Sequence, residues 1–125
     1  MFATILIVED DNDMRTLLAD KLMQMHHEII QAEDGEQAVA KFLSHRPNLM
    51  VLDLLLPKMG GFEVLEALKE QMDLTKTPVV IYSNLSKPES IEKAKGLNVN
   101  NFFIKSQTQV DELCERIQSI LQDRK

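Results

Sequence analysis

The sequence predicts an α/β domain in which a doubly wound, parallel sheet of five strands is flanked by five helices. Three observations carry that expectation. Short apolar runs rich in Ile, Val and Leu alternate with longer stretches of helical period, as in consecutive βαβ units. The length of 125 residues is that of one domain, and 44% hydrophobic with 27% charged residues is the balance of a chain that buries its own core. Residues with chemistry of their own stand directly after the apolar runs: Glu9 and Asp10, Asp53, Ser83 and Lys105.

Taken in order, Thr4-Ile5-Leu6-Ile7-Val8 reads as a fully buried strand. Met14, Leu17, Leu18, Lys21, Leu22 and Met25 then recur at helical spacing, with Asn12 or Asp13 as the N-cap. Glu28 to Ala32 is a weaker strand, suited to a sheet edge. Gly35 breaks the chain before a helix carrying Ala38, Val39, Phe42 and Leu43, and Arg46-Pro47-Asn48 ends it because proline cannot continue the ladder. Leu49 to Leu52 is the most apolar strand. A loop with Pro57, Gly60 and Gly61 leads into a helix with Val64, Leu65, Leu68 and Met72 on one face. Pro78 to Tyr82 forms the fourth strand, and Ser86 with Pro88 opens the fourth helix. That helix offers Ile91 and Leu97 as its chief apolar residues, so it is expected to be weakly held. Phe102-Phe103-Ile104 is the fifth strand, one ring on each face. The last helix has a stripe of Val110, Leu113, Cys114, Ile117, Ile120 and Leu121.

Composition excludes several classes. One cysteine, Cys114, rules out an internal disulfide and belongs to the packed stripe. No apolar run approaches the roughly 20 residues of a membrane span, and Met1-Phe2-Ala3-Thr4 lacks the basic start of a signal peptide. A cytoplasmic chain is expected. Its net charge of −6 repels phosphate backbones, which argues against direct nucleic-acid binding. His26 and His27 are neighbours, and helical geometry would splay them too far apart to chelate one ion. His45 reads as a helix-end residue.

Parallel crossovers are right-handed, and a sheet wound in this way binds ligands beyond the carboxyl ends of its strands. If strands one and three are neighbours, Asp10 and Asp53 face each other there. Carboxylates crowded into a cleft repel one another, and a bound hard cation relieves them. Mg²⁺ suits the set, because it takes few carboxylates and keeps positions open for phosphate oxygens; Mn²⁺ is the substitute. A calcium loop over Glu9 to Asp13 fails, since Met14 stands where its turn needs glycine. Asp53 is then placed to attack a phosphoryl group, with Lys105 and Ser83 as donors to the charge that develops.

These residues resemble a receiver domain of a two-component response regulator, over essentially the whole chain. The resemblance rests on Ile5-Leu6-Ile7-Val8-Glu9-Asp10-Asp11, on Asp53-Leu54-Leu55-Leu56-Pro57-Lys58-Met59-Gly60-Gly61, and on Ser83 and Lys105. It implies a flavodoxin-like sheet of order 2-1-3-4-5, with Asp53 as phosphoacceptor. It also implies Glu9, Asp10, Asp53 and the Leu55 backbone carbonyl as Mg²⁺ ligands. Ser83 and Phe102 would form the switch, and Lys105 the ion-pair lysine. The implied partners are a sensor histidine kinase or phosphotransfer protein, and a downstream protein on the face of helix four, strand five and helix five. Met14 with Leu17 is a candidate for part of the kinase-docking surface. The activity implied is acceptance of a phosphoryl group and slow loss of it, not turnover of a substrate.

Some positions depart from the family pattern. Ser106 follows the lysine in place of proline, so a trans or a strained peptide is expected there. Asn84 follows the switch serine where a small residue is usual, which narrows access. Asn98 replaces a glycine at the end of helix four and tolerates the left-handed conformation. Leu55 and Leu85 flank the site and cannot orient an attacking water. Two other readings stay open. A phosphorylation-independent interaction module would share the fold, and an aspartyl-phosphate hydrolase would share the chemistry, although Leu55 stands where the latter needs a second acid. FMN binding is disfavoured by the acids after strand one. The start at Met1 and the polar tail Gln122 to Lys125 suggest a stand-alone receiver, residues 1–125, with no output domain.

Overall fold

A computed structural model describes residues 2–123. Met1, Arg124 and Lys125, on which the stand-alone expectation leans, lie outside the described residues. The elements are β1 (Thr4–Val8), α1 (Asn12–Gln24), β2 (Glu28–Ala32), α2 (Gly35–His45), β3 (Leu49–Leu52), α3 (Gly61–Gln71), β4 (Val79–Ser83), α4 (Pro88–Gly96), β5 (Asn101–Ile104) and α5 (Val110–Gln122). Short 3-10 turns at Leu74–Lys76 and Lys105–Gln107 precede β4 and follow β5. The strands pair in parallel in the order β2-β1-β3-β4-β5, as expected.

Strand alternation divides the core between the two faces of the sheet. Leu6, Val8, Met50, Leu52 and Ile81 pack under α2 and α3, joined by Phe42, Val64, Leu65 and Leu68. Ile5, Ile7, Leu49, Val51, Val80 and Tyr82 pack under α1 and α5, with Leu18, Leu22, Leu113 and Ile117. The two phenylalanines of β5 separate as the period of two requires, Phe102 to the first layer and Phe103 to the second. Arg116 lies 5.5 Å from the centroid of the Phe103 ring. Cys114 is buried within the second layer, and burial pushes its thiol up to about 11, which suits packing and not redox chemistry.

Element ends differ from expectation in instructive places. Asp11, not Asn12 or Asp13, caps α1: its Oδ1 accepts from the N–H groups of Asp13 at 2.9 Å and Met14 at 3.3 Å. Leu17, placed in the apolar stripe, is 43% exposed because the buried face runs through Arg15, Leu18, Ala19 and Leu22. β4 is shifted by one residue and ends on Ser83, since Pro78 has no N–H to give the ladder and only its carbonyl is used, by Met50 N–H at 3.1 Å. β5 starts one residue earlier, at Asn101. α4 has Pro88 at N1 but Lys87, not Ser86, at its N-cap, with no side-chain cap.

The weak hold expected of α4 has a specific form. Its buried residues are Ser90 and Ala94, while Ile91 and Leu97 are only half-buried. Lys93 adds a contact from the rim, its ammonium 4.8 Å from the centroid of the Phe62 ring on α3. Asn98, just after the helix, has φ 66°, the left-handed value expected of it. The two histidines follow α1 instead of lying in it: His26 has φ 72°, and His27 is buried. His27 Nδ1 accepts from Ala3 N–H at 3.1 Å, and its Nε2 lies 2.7 Å from Gln118 Oε1, so both ring nitrogens are engaged in tying the start of β1 to α5.

Candidate functional site

The register of the central strands builds the site. Val8 pairs with Leu52, and the next residues continue the pattern: Asp53 N–H donates to the Val8 carbonyl at 3.1 Å, and Glu9 N–H to the Ala32 carbonyl at 3.1 Å. Glu9 and Asp53 therefore leave adjacent strands at one level. Ser83 reaches the same edge as the last residue of β4, opposite Ile104, and Lys105 follows directly. All the sequence-expected polar site residues meet there.

Each oxygen of Asp53 has its own donor. Ser83 Oγ donates to Oδ1 at 2.6 Å, Leu55 N–H donates to the same oxygen at 3.1 Å, and Lys105 Nζ donates to Oδ2 at 2.7 Å. Lys105 also contacts Glu9 Oε1 at 2.5 Å, so one ammonium bridges two buried carboxylates. The Asp11 N–H donates to Glu9 Oε2 at 3.1 Å. Burial, helped by the charge of Asp53, holds Glu9 above the usual carboxylate range despite those donors. Burial alone would lower Lys105, but the hydrogen bonds and charges of Asp53 and Glu9 outweigh it and raise it, so the ammonium stays charged.

Glu9, Asp10 and Asp53 each offer an oxygen within 4.8 Å of the others. A single ammonium balances one of three carboxylates, which leaves the charge of a divalent ion uncompensated. Oxygen-only donors with an exposed Asp10 open to water match a hard cation such as Mg²⁺, so the residues present fit that ion.

A family model, that of the response regulator receiver domain, matches residues 5–118. The chain belongs to that family. Such receivers are signalling domains of two-component systems and bind Mg²⁺ at an acidic pocket. A probable transcriptional regulator, ycf27, of Porphyridium aerugineum is 32% identical over 94% of this chain and 47% of its own length. The response regulator ArlR of Staphylococcus aureus is 31% identical over 94% of this chain and 52% of its own length. The receiver thus spans about half the length of those curated relatives. Among solved structures, the chemotaxis response regulator CheY4 of Vibrio cholerae is 25% identical and superposes with a TM-score of 0.85, covering 96% of this chain and 99% of that one. No helix of the described residues is long and apolar enough to cross a membrane.

Three contacts at the receiver's site escape a reading of the sequence. Arg15 is 7% exposed, and its guanidinium donates to the Glu9 carbonyl at 2.8 Å and Gln31 Oε1 at 3.1 Å, and reaches Asn12 and, at 3.2 Å, Glu33. It locks the strand end that carries Glu9 and Asp10. The second is Gly61, which lies so close to the Asp53 carbonyl that a Cβ would sit 2.6 Å from it. The third is Asn84, whose Oδ1 accepts from the Ser106 N–H at 2.9 Å. The Lys105-Ser106 peptide is trans, as no described residue has a cis bond.

Tyr82 anchors the loop beyond Lys105, its hydroxyl donating to the Thr108 carbonyl at 2.6 Å. Burial raises this phenol above its ordinary value near ~10. The neutral form is therefore favoured by folding: its contribution to stability is complete below the unfolded value and disappears as pH rises through the folded one. As the only tyrosine in a chain without tryptophan, Tyr82 reports this directly. Phenolate absorbance is expected to titrate at higher pH in the native protein than in urea, and coincident native and denatured midpoints would refute the assignment.

Proposed function

We propose that the domain accepts a phosphoryl group on Asp53 from a histidine kinase or phosphotransfer protein, and signals to a protein partner through the face of α4, β5 and α5. The observation that carries this reading is the double grip on Asp53, one oxygen held by Ser83 and the other by Lys105, beside Glu9 and Asp10. An oxygen of Asp53 forms the new bond to phosphorus while the bond to the donor's leaving atom breaks and its electron pair departs with the donor. Lys105 and Ser83 then hold phosphoryl oxygens whose charge grows in the transition state. Glu9, Asp10, Asp53 and the Leu55 carbonyl would hold Mg²⁺, which supplies charge neutralisation for the phosphoryl oxygens. Once converted to an acyl phosphate, Asp53 no longer offers Ser83 the same acceptor, and a shift of Ser83 with Phe102 is the expected route to α4.

Incubation with Mg²⁺ and acetyl phosphate, followed by intact mass, is expected to give one phosphoryl adduct that is lost in Asp53→Asn. An adduct retained in that variant would refute Asp53 as acceptor, and no adduct from small donors or a phosphorylated kinase would favour a phosphorylation-independent interaction module. Leu55 is 54% exposed beside Asp53 and, like Leu85, has no side-chain group to orient water. Self-dephosphorylation is accordingly expected over hours; decay of the adduct within seconds would overturn that expectation.

A further inference from the structure

We propose that Asn84 is a positioning residue for the Lys105 ammonium, acting through the backbone of Ser106. The two donors on Asp53 come from different loops: Ser83 Oγ donates to Oδ1 at 2.6 Å, and Lys105 Nζ to Oδ2 at 2.7 Å. The β4–β5 ladder that spaces those loops stops at the pair Ser83 and Ile104, one residue short of the lysine. Beyond it, the Asn84 Oδ1 accepts from the Ser106 N–H at 2.9 Å. Asn84 follows one donor directly and Ser106 follows the other, so this bond continues the strand pairing by a side chain where the backbone no longer supplies it.

Ser106 lies in a 3-10 turn, Lys105–Gln107, whose early N–H groups have no partner within the turn. Without Asn84 its N–H would turn to water and the turn would lose its link to β4. The far side of the same loop is tied independently, by Tyr82 Oη to the Thr108 carbonyl at 2.6 Å. Lys105 is thus carried by a loop pinned on both sides by residues that bracket Ser83. A lysine places its charge through a long flexible stem, so the position of its backbone decides how often the ammonium meets Asp53.

The Mg²⁺-binding carboxylates take no part in this link. Its loss should slow phosphoryl transfer without weakening ion binding. Asn84→Ala is expected to lower the acetyl phosphate rate constant at saturating Mg²⁺ by ~3- to 10-fold, well below the ~100-fold cost of a full 1 Å misplacement. Mg²⁺ affinity measured by calorimetry should not fall, because the Lys105 ammonium shares Glu9 and Asp53 with an entering cation. Asn84→Asp keeps an acceptor oxygen and should recover most of the rate. Hydrogen exchange at the Ser106 amide should accelerate in Asn84→Ala and return in Asn84→Asp.

The kinetic arm rests on Asp53 being the phosphoacceptor, and the exchange arm does not. If the parent protein takes no phosphoryl group, that functional reading fails. The positioning claim is then decided by Ser106 exchange together with the NMR shift of the Lys105 ammonium, which should move in Asn84→Ala and return in Asn84→Asp. Unchanged Ser106 exchange in Asn84→Ala, equal slowing by Ala and Asp, or a parallel loss of Mg²⁺ affinity would each overturn the proposal.

Discussion

A Lys105→Met variant is expected to accept a phosphoryl group roughly 10²- to 10³-fold more slowly than the parent, the cost typical of removing one donor from a developing oxyanion. It should nevertheless bind Mg²⁺ more tightly. In the parent, the ammonium bridges Glu9 and Asp53 at 2.5 and 2.7 Å, so a cation entering the site must share both carboxylates with it. Methionine fills similar space without charge and leaves two buried carboxylates uncompensated, which costs about 3 kcal/mol of stability. Because Mg²⁺ binds the folded state, it should restore much of that loss. Urea unfolding with and without Mg²⁺ measures the effect, and the Mg²⁺-dependent gain should be larger in Lys105→Met than in the parent. An equal or smaller gain would mean that Lys105 and the ion do not compete for the same carboxylates.

The second large effect concerns the backbone beneath Asp53. In Gly61→Ala the new methyl would lie 2.6 Å from the Asp53 carbonyl oxygen and 2.7 Å from Leu54 Cα. Both are main-chain atoms, so no side-chain rotation relieves the clash. Overpacking of this kind is expected to cost about 3 kcal/mol, lowering the thermal midpoint by roughly 10 °C. Displacement of the strand end should also slow adduct formation, since the Asp53 carboxylate moves relative to Ser83 and Lys105. Gly96 provides the control. Nothing lies within 4 Å of a Cβ built there, at the last position of α4, so Gly96→Ala should be neutral or stabilise by up to ~1 kcal/mol. Similar midpoints for the two variants would show that β3 and α3 do not approach as closely as this geometry requires.

Much of this architecture was legible in the residues alone. Strongly apolar runs such as Leu49 to Leu52 and the stripe of α5 admit one reading each, and the rule that ligands sit beyond parallel strand ends selects Glu9, Asp10, Asp53, Ser83 and Lys105 from the residues alone. What escaped has physical causes. Asp11, Asn12 and Asp13 are nearly equal as helix caps, so only the loop's path decides among them. An arginine ordinarily reads as exposed, and Arg15 is buried because a backbone carbonyl and three polar side chains, Gln31, Glu33 and, from its own helix, Asn12, converge on it. The Asn84–Ser106 bond joins two exposed polar residues from separate loops, a pairing with no hydrophobic pattern to announce it. The expected bounds of β4 and β5 differ from the observed ones by single residues, where a proline or an asparagine blurs the strand start.

α4 meets the body of the protein through Ser90 and Ala94, with larger apolar groups only at its margins. Its outward residues contribute little to holding the domain together. They are therefore free to be rewritten without unfolding the domain, and if α4 meets a partner as proposed, the recognition code of this surface can diverge faster than the site behind it.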